Sequence, residues 1–319
     1  MNVLVIGGTG FIGYHIVELL TRQNYSVTIL SRNSQSQTVN QNNIRYIKAD
    51  IDVLSANEIS AVLSGIDAII FSAGADDRTL TSPPAYDFFY KKNVLPVLKI
   101  GEAVKNSTVK KFIIIGSYFS WLHRNNPLMK LSEKHDYIKS RTEQLKQGLS
   151  FANDKLSVIV LELPYVFGVY PYNKVMWAPL IRYANTTLPF LFFTSGGTSV
   201  VSVRNVAQSV YCCLVNAIPS GAYPLADKNL TWVDMLTAFR NDKSISIVSL
   251  NKWLLLPFAY FVEWYLKIAN RQSGLKPSSF IDIQCSNTFI SIEECLPGFK
   301  ANATQLYDEI RLMVNETMN

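Results

Sequence analysis

Four of the chain's fifteen glycines crowd into its first thirteen residues, at Gly7, Gly8, Gly10 and Gly13, in the run VLVIGGTGFIG. The run follows a short apolar stretch, Asn2–Ile6, which reads as a buried strand, and it opens Phe11–Arg22, whose spacing is helical. A Gly-x-x-Gly-x-x-Gly turn between a strand and a helix restricts the chain to folds that feed a parallel strand directly into a crossover helix. Each glycine has a physical task there. Gly7 lets the chain turn tightly, Gly10 removes a side chain where a pyrophosphate approaches, and Gly13 lets the helix pack close to the strand. The helix N-terminus, opened by Phe11 and Ile12, offers unpaired amides and a positive dipole end to an anion. Gly7, Gly10, Phe11, Ile12 and Gly13 are therefore expected to hold the phosphates of a dinucleotide.

The rest of the first half alternates. Strand signals fall at Ser26–Leu30, Ile44–Lys48, Asp67–Ser72, Lys111–Ile115 and Leu156–Leu163. Helical signals fall at Ala56–Ser64, Asn93–Lys105 and Asp136–Ala152. Strands alternating with helices at this spacing predict an α/β fold, a doubly wound parallel sheet of the Rossmann kind. After Pro164 the pattern changes, and prolines and aromatics become dense. One strand signal returns at Val200–Val203, a helix follows from Val206, and Gly221–Leu225 reads as a further strand. The expected division is a dinucleotide-binding domain over 1–165, with 200–225 returning to its sheet. A smaller, mainly helical substrate lobe is expected over 166–199 and 226–319.

Composition narrows the function classes. Apolar residues make up 48% and charged residues 17%, which is core-forming material and excludes a disordered polyelectrolyte. The net charge is +6 with no long basic run, the densest groups being Lys91-Lys92 and Lys110-Lys111. No nucleic-acid partner is expected, only a mild pull toward anionic ligands. The four cysteines form no Cys-x-x-Cys pair, so no metal site is implied. The chain opens directly on structure without a leader pattern, which predicts a cytoplasmic location. Leu250–Ala269 is rich in apolar residues, but Pro257 interrupts it and its uncharged core is short. It reads as a buried or amphipathic helix rather than a membrane-surface element, and no stable membrane insertion is expected. Its aromatics, Trp253, Phe258, Tyr260, Phe261, Trp264 and Tyr265, read as core of the second lobe in preference to a lid.

The end of the second strand selects between dinucleotides. An acid there reads the adenosine ribose of NAD. The chain instead runs Leu30-Ser31-Arg32-Asn33. Arg32 is suited to a 2′-phosphate through charge-assisted hydrogen bonds, with Ser31 adding a hydroxyl, so NADP(H) is favoured over NAD(H).

GGTGFIG at the N-terminus resembles the extended and atypical short-chain dehydrogenase/reductases, the NAD-dependent epimerase/dehydratase family. The resemblance runs on over about residues 1 to 240. Asp50-Ile51 resembles the adenine-contacting acid and its neighbour, and Ala73-Gly74, in Phe71-Ser72-Ala73-Gly74, the cofactor-lining turn. Asn93 resembles the asparagine that opens the next helix. Lys111–Ser117 resembles the strand that delivers the catalytic serine. Pro164, in Leu163-Pro164-Tyr165-Val166-Phe167-Gly168, resembles the family's proline beside the nicotinamide. Val201–Ala207 resembles its return strand, with Asn205 in place of aspartate.

The resemblance implies catalytic roles for Ser117 and Tyr137 in a Tyr-x-x-x-Lys pattern, whose last position is here Arg141. A cation four residues on shares the tyrosine's helix face and favours the phenolate, whereas Lys139, two residues on, faces elsewhere. Arg141 is open to two expectations, a cofactor contact or a salt bridge to Glu133 or Asp136. The implied function is an NAD(P)-dependent oxidoreductase or epimerase acting on a carbonyl or carbinol carbon of a small-molecule substrate. The replaced lysine keeps an alternative open, a non-catalytic dinucleotide-binding redox sensor or interaction protein. By the same resemblance, the helix from Asp136 is a candidate homodimer surface.

Overall fold

Strands that are apolar on both faces must be covered on both, and the fold supplies two layers of helices to do it. The computed structural model describes residues 1–32, 43–240 and 246–319, so Asn33 lies outside the described residues. Seven strands form one sheet: β1 (Asn2–Ile6), β2 (Ser26–Ser31), β3 (Ile44–Lys48), β4 (Ala68–Phe71), β5 (Lys111–Ser117), β6 (Ser157–Leu163) and β7 (Gly221–Pro224). Their spatial order is β7-β6-β5-β4-β1-β2-β3, and every neighbouring pair is parallel. This is the doubly wound architecture that the alternation predicts.

The period of two along each strand sorts side chains between the faces. Val3, Val5, Ile113, Ile115, Ile159 and Leu161 pack with Ile16, Val17 and Leu20 of helix Phe11–Arg22 and with Val206 and Val210 of helix Val203–Val215. Leu4, Ile6, Phe112, Ile114, Val158 and Val160 pack instead with Val97, Ile100 and Val104 of helix Leu95–Val104 and Leu145 of helix Asp136–Leu149. Lys111 pins helix Val203–Val215 to the sheet, its ammonium donating to the carbonyls of Cys213, Leu214 and Asn216 at 2.7–2.8 Å. A cation at that helix end also complements the dipole. The strand order reverses between β1 and β4, so the loops leaving them diverge and open a crevice at the carboxyl edge of the sheet.

The second lobe corrects one expectation. Gly197–Ser202 does not return to the large sheet. It pairs in parallel with Tyr165–Phe167 and Asn287–Thr288 and antiparallel with Lys228–Thr231, making a separate small sheet. The return is made by helix Val203–Val215 and β7. Short strands at Lys228–Thr231, Ser246–Leu250, Gln272–Ser273 and Asn287–Thr288 also stand where helices and loops alone were expected. Three of them are two to four residues long, too short for a periodic signal, whereas Ser246–Leu250 is as long as β1.

A second correction concerns helix Lys252–Ile268. Ala259 is its one buried residue, and the aromatics read as core are instead exposed. Among the described residues, no helix is long and apolar enough to cross a membrane.

Candidate cofactor and active site

The crevice at the strand reversal is continuous across two halves. One, of about 520 Å³, lies over β1, β2 and β3 and is lined by Gly7, Gly10, Ser31, Arg32, Asp50, Ile51, Ala73 and Gly74 among others. The other, of about 570 Å³, lies over β4, β5 and β6 and takes in Gly10, Phe11, Ile12, Ala73, Gly74, Ser117, Tyr137, Arg141 and Pro164. The two share Gly10 and the turn from Ser72 to Ala75.

The glycine turn is built as its tasks require. Gly7 holds φ +84°, and a Cβ there would meet the backbone of Ser72 and Ala73 at 2.9 Å. At Gly13 a Cβ would lie 2.2 Å from the Gly7 carbonyl oxygen, so Gly13 sets the helix–strand approach and does not itself line the crevice. Gly10 meets only the Gly7 carbonyl, at 3.3 Å, leaving its outer side open to the crevice. Among the described residues, no side chain caps helix Phe11–Arg22 and no acid stands in its first turn. The amides and dipole end there suit a pyrophosphate.

Over β2, Arg32 is exposed and makes no ion pair among the described residues. Lys92, a lining cation the sequence reading did not select, is paired with Asp52. Asn93 is fully buried outside the crevice walls. Its Oδ1 accepts the Ala75 amide at 2.8 Å, and its own carbonyl accepts from Gln144 Nε2 at 2.7 Å. Asn93 thus fixes the Gly74-Ala75 turn from behind.

Ser117 ends β5 and caps the following helix, Tyr118–Asn125, its Oγ accepting the Phe119 amide at 3.4 Å. A clamp around the buried Glu162 holds this corner. Arg124 donates two 2.7 Å bonds to Glu162 at the end of β6, and Ser120 bonds both Glu162 and, at 2.6 Å, the Ser117 carbonyl. Tyr137 lies in the first turn of helix Asp136–Leu149, its amide donating to the Gly274 carbonyl at 2.9 Å and its ring edged by Phe89 and Phe119. Burial raises the Tyr137 phenol's pKa above the ordinary tyrosine value, and Asp77 adds to this. Arg141 and a Ser117 hydrogen bond pull the other way without cancelling it.

The Arg141 guanidinium carbon lies 5.7 Å from the Tyr137 ring centre. Its Nη2 donates to the Ile115 carbonyl at 3.1 Å, and its buried Nε has no partner among the described residues. No ion pair joins it to Glu133 or Asp136 among the described residues, so of the two expectations the salt bridge is not formed. A cofactor ribose is a suitable acceptor for that free donor.

The structure adds lining residues that sequence reasoning missed. Asp76, Asp77 and Arg78 follow the Gly74 turn into the crevice. Burial and Asp76 push the Asp77 carboxyl above the usual carboxylate range. Charged residues just beyond the carboxyl end of a switch-point strand were the available signal. Met176, Trp177 and Phe280 reach in from the second lobe, where aromatic density alone did not single them out.

A family model described as the NAD dependent epimerase/dehydratase family matches residues 3–223. A sterol-4-alpha-carboxylate 3-dehydrogenase (decarboxylating) of Dictyostelium discoideum is 23% identical over 304 residues, 86% of each chain. Among solved structures, a UDP-N-acetylglucosamine 4-epimerase from Methanobrevibacter ruminantium M1, complexed with UDP-N-acetylmuramic acid, superposes with a TM-score of 0.68 at 20% identity, covering 99% of this chain and 98% of that one. A UDP-glucuronic acid 4-epimerase from Bacillus cereus, complexed with NAD, gives 0.68 at 13% identity and covers 100% and 99%. At these identities the structural likenesses speak for the fold. With the family model spanning most of the sheet domain and a nicotinamide-dinucleotide crevice at the strand reversal, the chain belongs to the NAD-dependent epimerase/dehydratase family.

Proposed function

We propose that the protein is an NAD(P)-dependent oxidoreductase or epimerase working at a carbonyl or carbinol carbon of a small molecule. The observation that carries this is the convergence of Ser117, Tyr137 and Arg141 on the crevice that begins at the glycine turn. A bound nicotinamide supplies or accepts the hydride. Ser117 and Tyr137 hold the substrate oxygen between two hydroxyls. Because burial outweighs Arg141, Tyr137 rests as a neutral phenol and is set to give a proton to a carbonyl oxygen. Arg141 Nε, buried and unpaired, steadies the cofactor ribose. Tyr118, Phe119, Tyr165, Trp177 and Phe280 offer the substrate an apolar, aromatic surface. NADP(H) is preferred, on the absence of an acid after β2 and the exposed Arg32 charge at the adenosine end. The NAD held by the Bacillus cereus neighbour keeps NADH as the control cofactor.

A panel of aldehydes and ketones read by NADPH consumption tests this. Tyr137→Phe should cut turnover by about 100-fold or more while leaving NADPH affinity unchanged, as expected for loss of a proton donor. Turnover retained in that variant refutes the assignment. A second reading is favoured by Arg141 alone: a dinucleotide-binding protein without turnover, for which NADPH binds but no panel member is consumed, even after Arg141→Lys.

A further inference from the structure

Helix Lys252–Ile268 is the least explained surface of the molecule. On a helical wheel, Trp253, Leu254, Pro257, Phe258, Tyr260, Phe261, Trp264, Tyr265 and Ile268 fall within a single arc of ~160° at 3.6 residues per turn. All nine are exposed, and all but Pro257 are large hydrophobics between 56% and 69% exposed. On the other side Leu255, Leu256, Val262 and Leu266 are half-buried against the protein. Ala259 is buried there, and Glu263 accepts the Ser278 amide at 2.7 Å, fastening the helix to helix Pro277–Gln284. No charge interrupts the outer arc. By ordinary side-chain areas it exposes on the order of 1,000 Å², against the few hundred Å² of a typical monomer's largest apolar patch. The strand leading into it, Ser246–Leu250, pairs with Phe190–Thr194 and adds exposed Phe190, Phe192 and Val248.

We propose that this helix seats the protein on a lipid bilayer bearing anionic headgroups. Three observations select that occupant. Six of the nine arc residues are aromatic, two of them Trp and two Tyr, the side chains that settle at the boundary between headgroups and acyl chains. The charges at the edge of the arc are basic: Lys267 on its flank, with Arg271 and Lys276 in and beyond the loop that follows, all exposed and in no ion pair among the described residues. Each basic residue near an anionic leaflet strengthens the attachment. A second copy of the chain suits this face less well. Two-fold pairing sets like surface on like, bringing those cations together with no free carboxylate on the arc to answer them.

The helix lies on the surface rather than spanning it. Seventeen residues reach roughly 26 Å at 1.5 Å each, short of the hydrocarbon thickness, and Pro257 sits inside the helix. Helix Pro277–Gln284, beneath the seated helix, carries Phe280 into the substrate end of the crevice. One packed helix therefore joins the lipid-facing surface to the site.

Vesicle flotation of the full chain tests the proposal. Phosphatidylcholine vesicles are compared with an equimolar mixture of phosphatidylcholine and phosphatidylglycerol. The expected result is flotation with the mixed vesicles, lost on adding salt, with a blue shift of tryptophan emission. Phe258→Glu with Phe261→Glu should reduce the floated fraction at least tenfold. Both positions are exposed, so the variant should keep the parent's NADPH titration, which serves as the folding control. Lys267→Glu with Arg271→Glu should weaken flotation on the mixed vesicles alone. Failure to float with either vesicle, flotation unchanged in the double glutamate variant, or equal flotation on both vesicle types overturns the proposal. So does a dimer in sedimentation that the Phe258/Phe261 variant converts to monomer, since that gives the face to a second copy.

Discussion

Gly10 and Gly13 separate binding from folding in a way that one experiment can read. Gly10 has φ −86° and ψ 173°, an extended conformation any residue adopts, and a Cβ there meets only the Gly7 carbonyl oxygen, at 3.3 Å. Gly10 is also the helix N-cap, where alanine is less favourable than glycine, so Gly10→Ala should cost stability no more than about 1 kcal/mol. The methyl group instead projects into the path assigned to the pyrophosphate. Forcing a methyl into a close-packed contact costs about 1–3 kcal/mol, so NADPH affinity should fall by about tenfold or more. Gly13→Ala behaves differently. Its Cβ would stand 2.2 Å from the Gly7 carbonyl oxygen and 2.8 Å from the Gly8 Cα, and both are backbone atoms that move only with the strand–helix turn. Overpacking costs about 1–3 kcal/mol, and the better helix propensity of alanine returns about 0.5–1 kcal/mol of it. A net loss of about 1–2 kcal/mol in urea unfolding is expected, together with weaker NADPH binding, because the amides of Phe11 and Ile12 shift with the turn. The assay is a pair of curves for each variant, NADPH fluorescence titration and urea unfolding. Parental NADPH affinity in Gly10→Ala would mean that the phosphates do not cross Gly10, and the cofactor pose argued from the glycine turn would fall.

Three further outcomes are expected. Arg32→Ala should lower NADPH affinity by about tenfold, the size of one partly exposed charge-assisted contact, and leave NADH affinity unchanged; an equal effect on both cofactors would contradict the 2′-phosphate assignment. Arg124→Ala leaves the fully buried Glu162 without its cation and loosens the Ser117 corner, so stability in urea should fall by about 2–3 kcal/mol, discounted from a fully buried pair because Arg124 is partly exposed; a change below about 0.5 kcal/mol would show that the clamp is not what holds Ser117 in place. His135 is buried, and burial, aided by Lys134 and Lys276, pushes its pKa down to about 4 from 6.5. The unfolded chain then binds a proton that the native state refuses, so stability should fall as pH drops from 6.5 toward 4, by up to about 3 kcal/mol, and His135→Gln should flatten that part of the pH–stability curve.

What the sequence made legible divides along a physical line. The glycine turn and the strand–helix alternation are local in the chain and periodic, so both could be read directly, and the seven-stranded parallel sheet follows from them. The grouping of Ser117, Tyr137 and Arg141 came from the family resemblance; spacing by itself put only Tyr137 and Arg141 on one helix face, and the crevice that all three line is visible only in the fold. Missed features depend on which partner stands opposite. Asn93 was matched by resemblance to the asparagine that opens a helix; that its Oδ1 holds the Ala75 amide from behind the crevice is a contact across eighteen positions that no spacing reveals. Arg141 had two acids a few residues upstream, Glu133 and Asp136, and pairs with neither among the described residues; its guanidinium points across to the Ile115 carbonyl near the end of β5. The strand signal at Val200–Val203 fell on the observed strand Gly197–Ser202, but a strand does not name its neighbour, and its partners came from Tyr165–Phe167 and two later segments.

Helix Lys252–Ile268 marks the same limit most sharply. A helix apolar around most of its circumference is the usual signature of burial, since in water it gains stability only by being covered. Among the described residues, the fold buries Ala259 and half-buries Leu255, Leu256, Val262, Glu263 and Leu266, and leaves the outer arc exposed. Hydrophobicity pointed to burial, and the structure instead leaves the aromatics of this helix exposed. It could not say that the described residues leave that arc uncovered, and that difference is the reason to look for a covering surface beyond them.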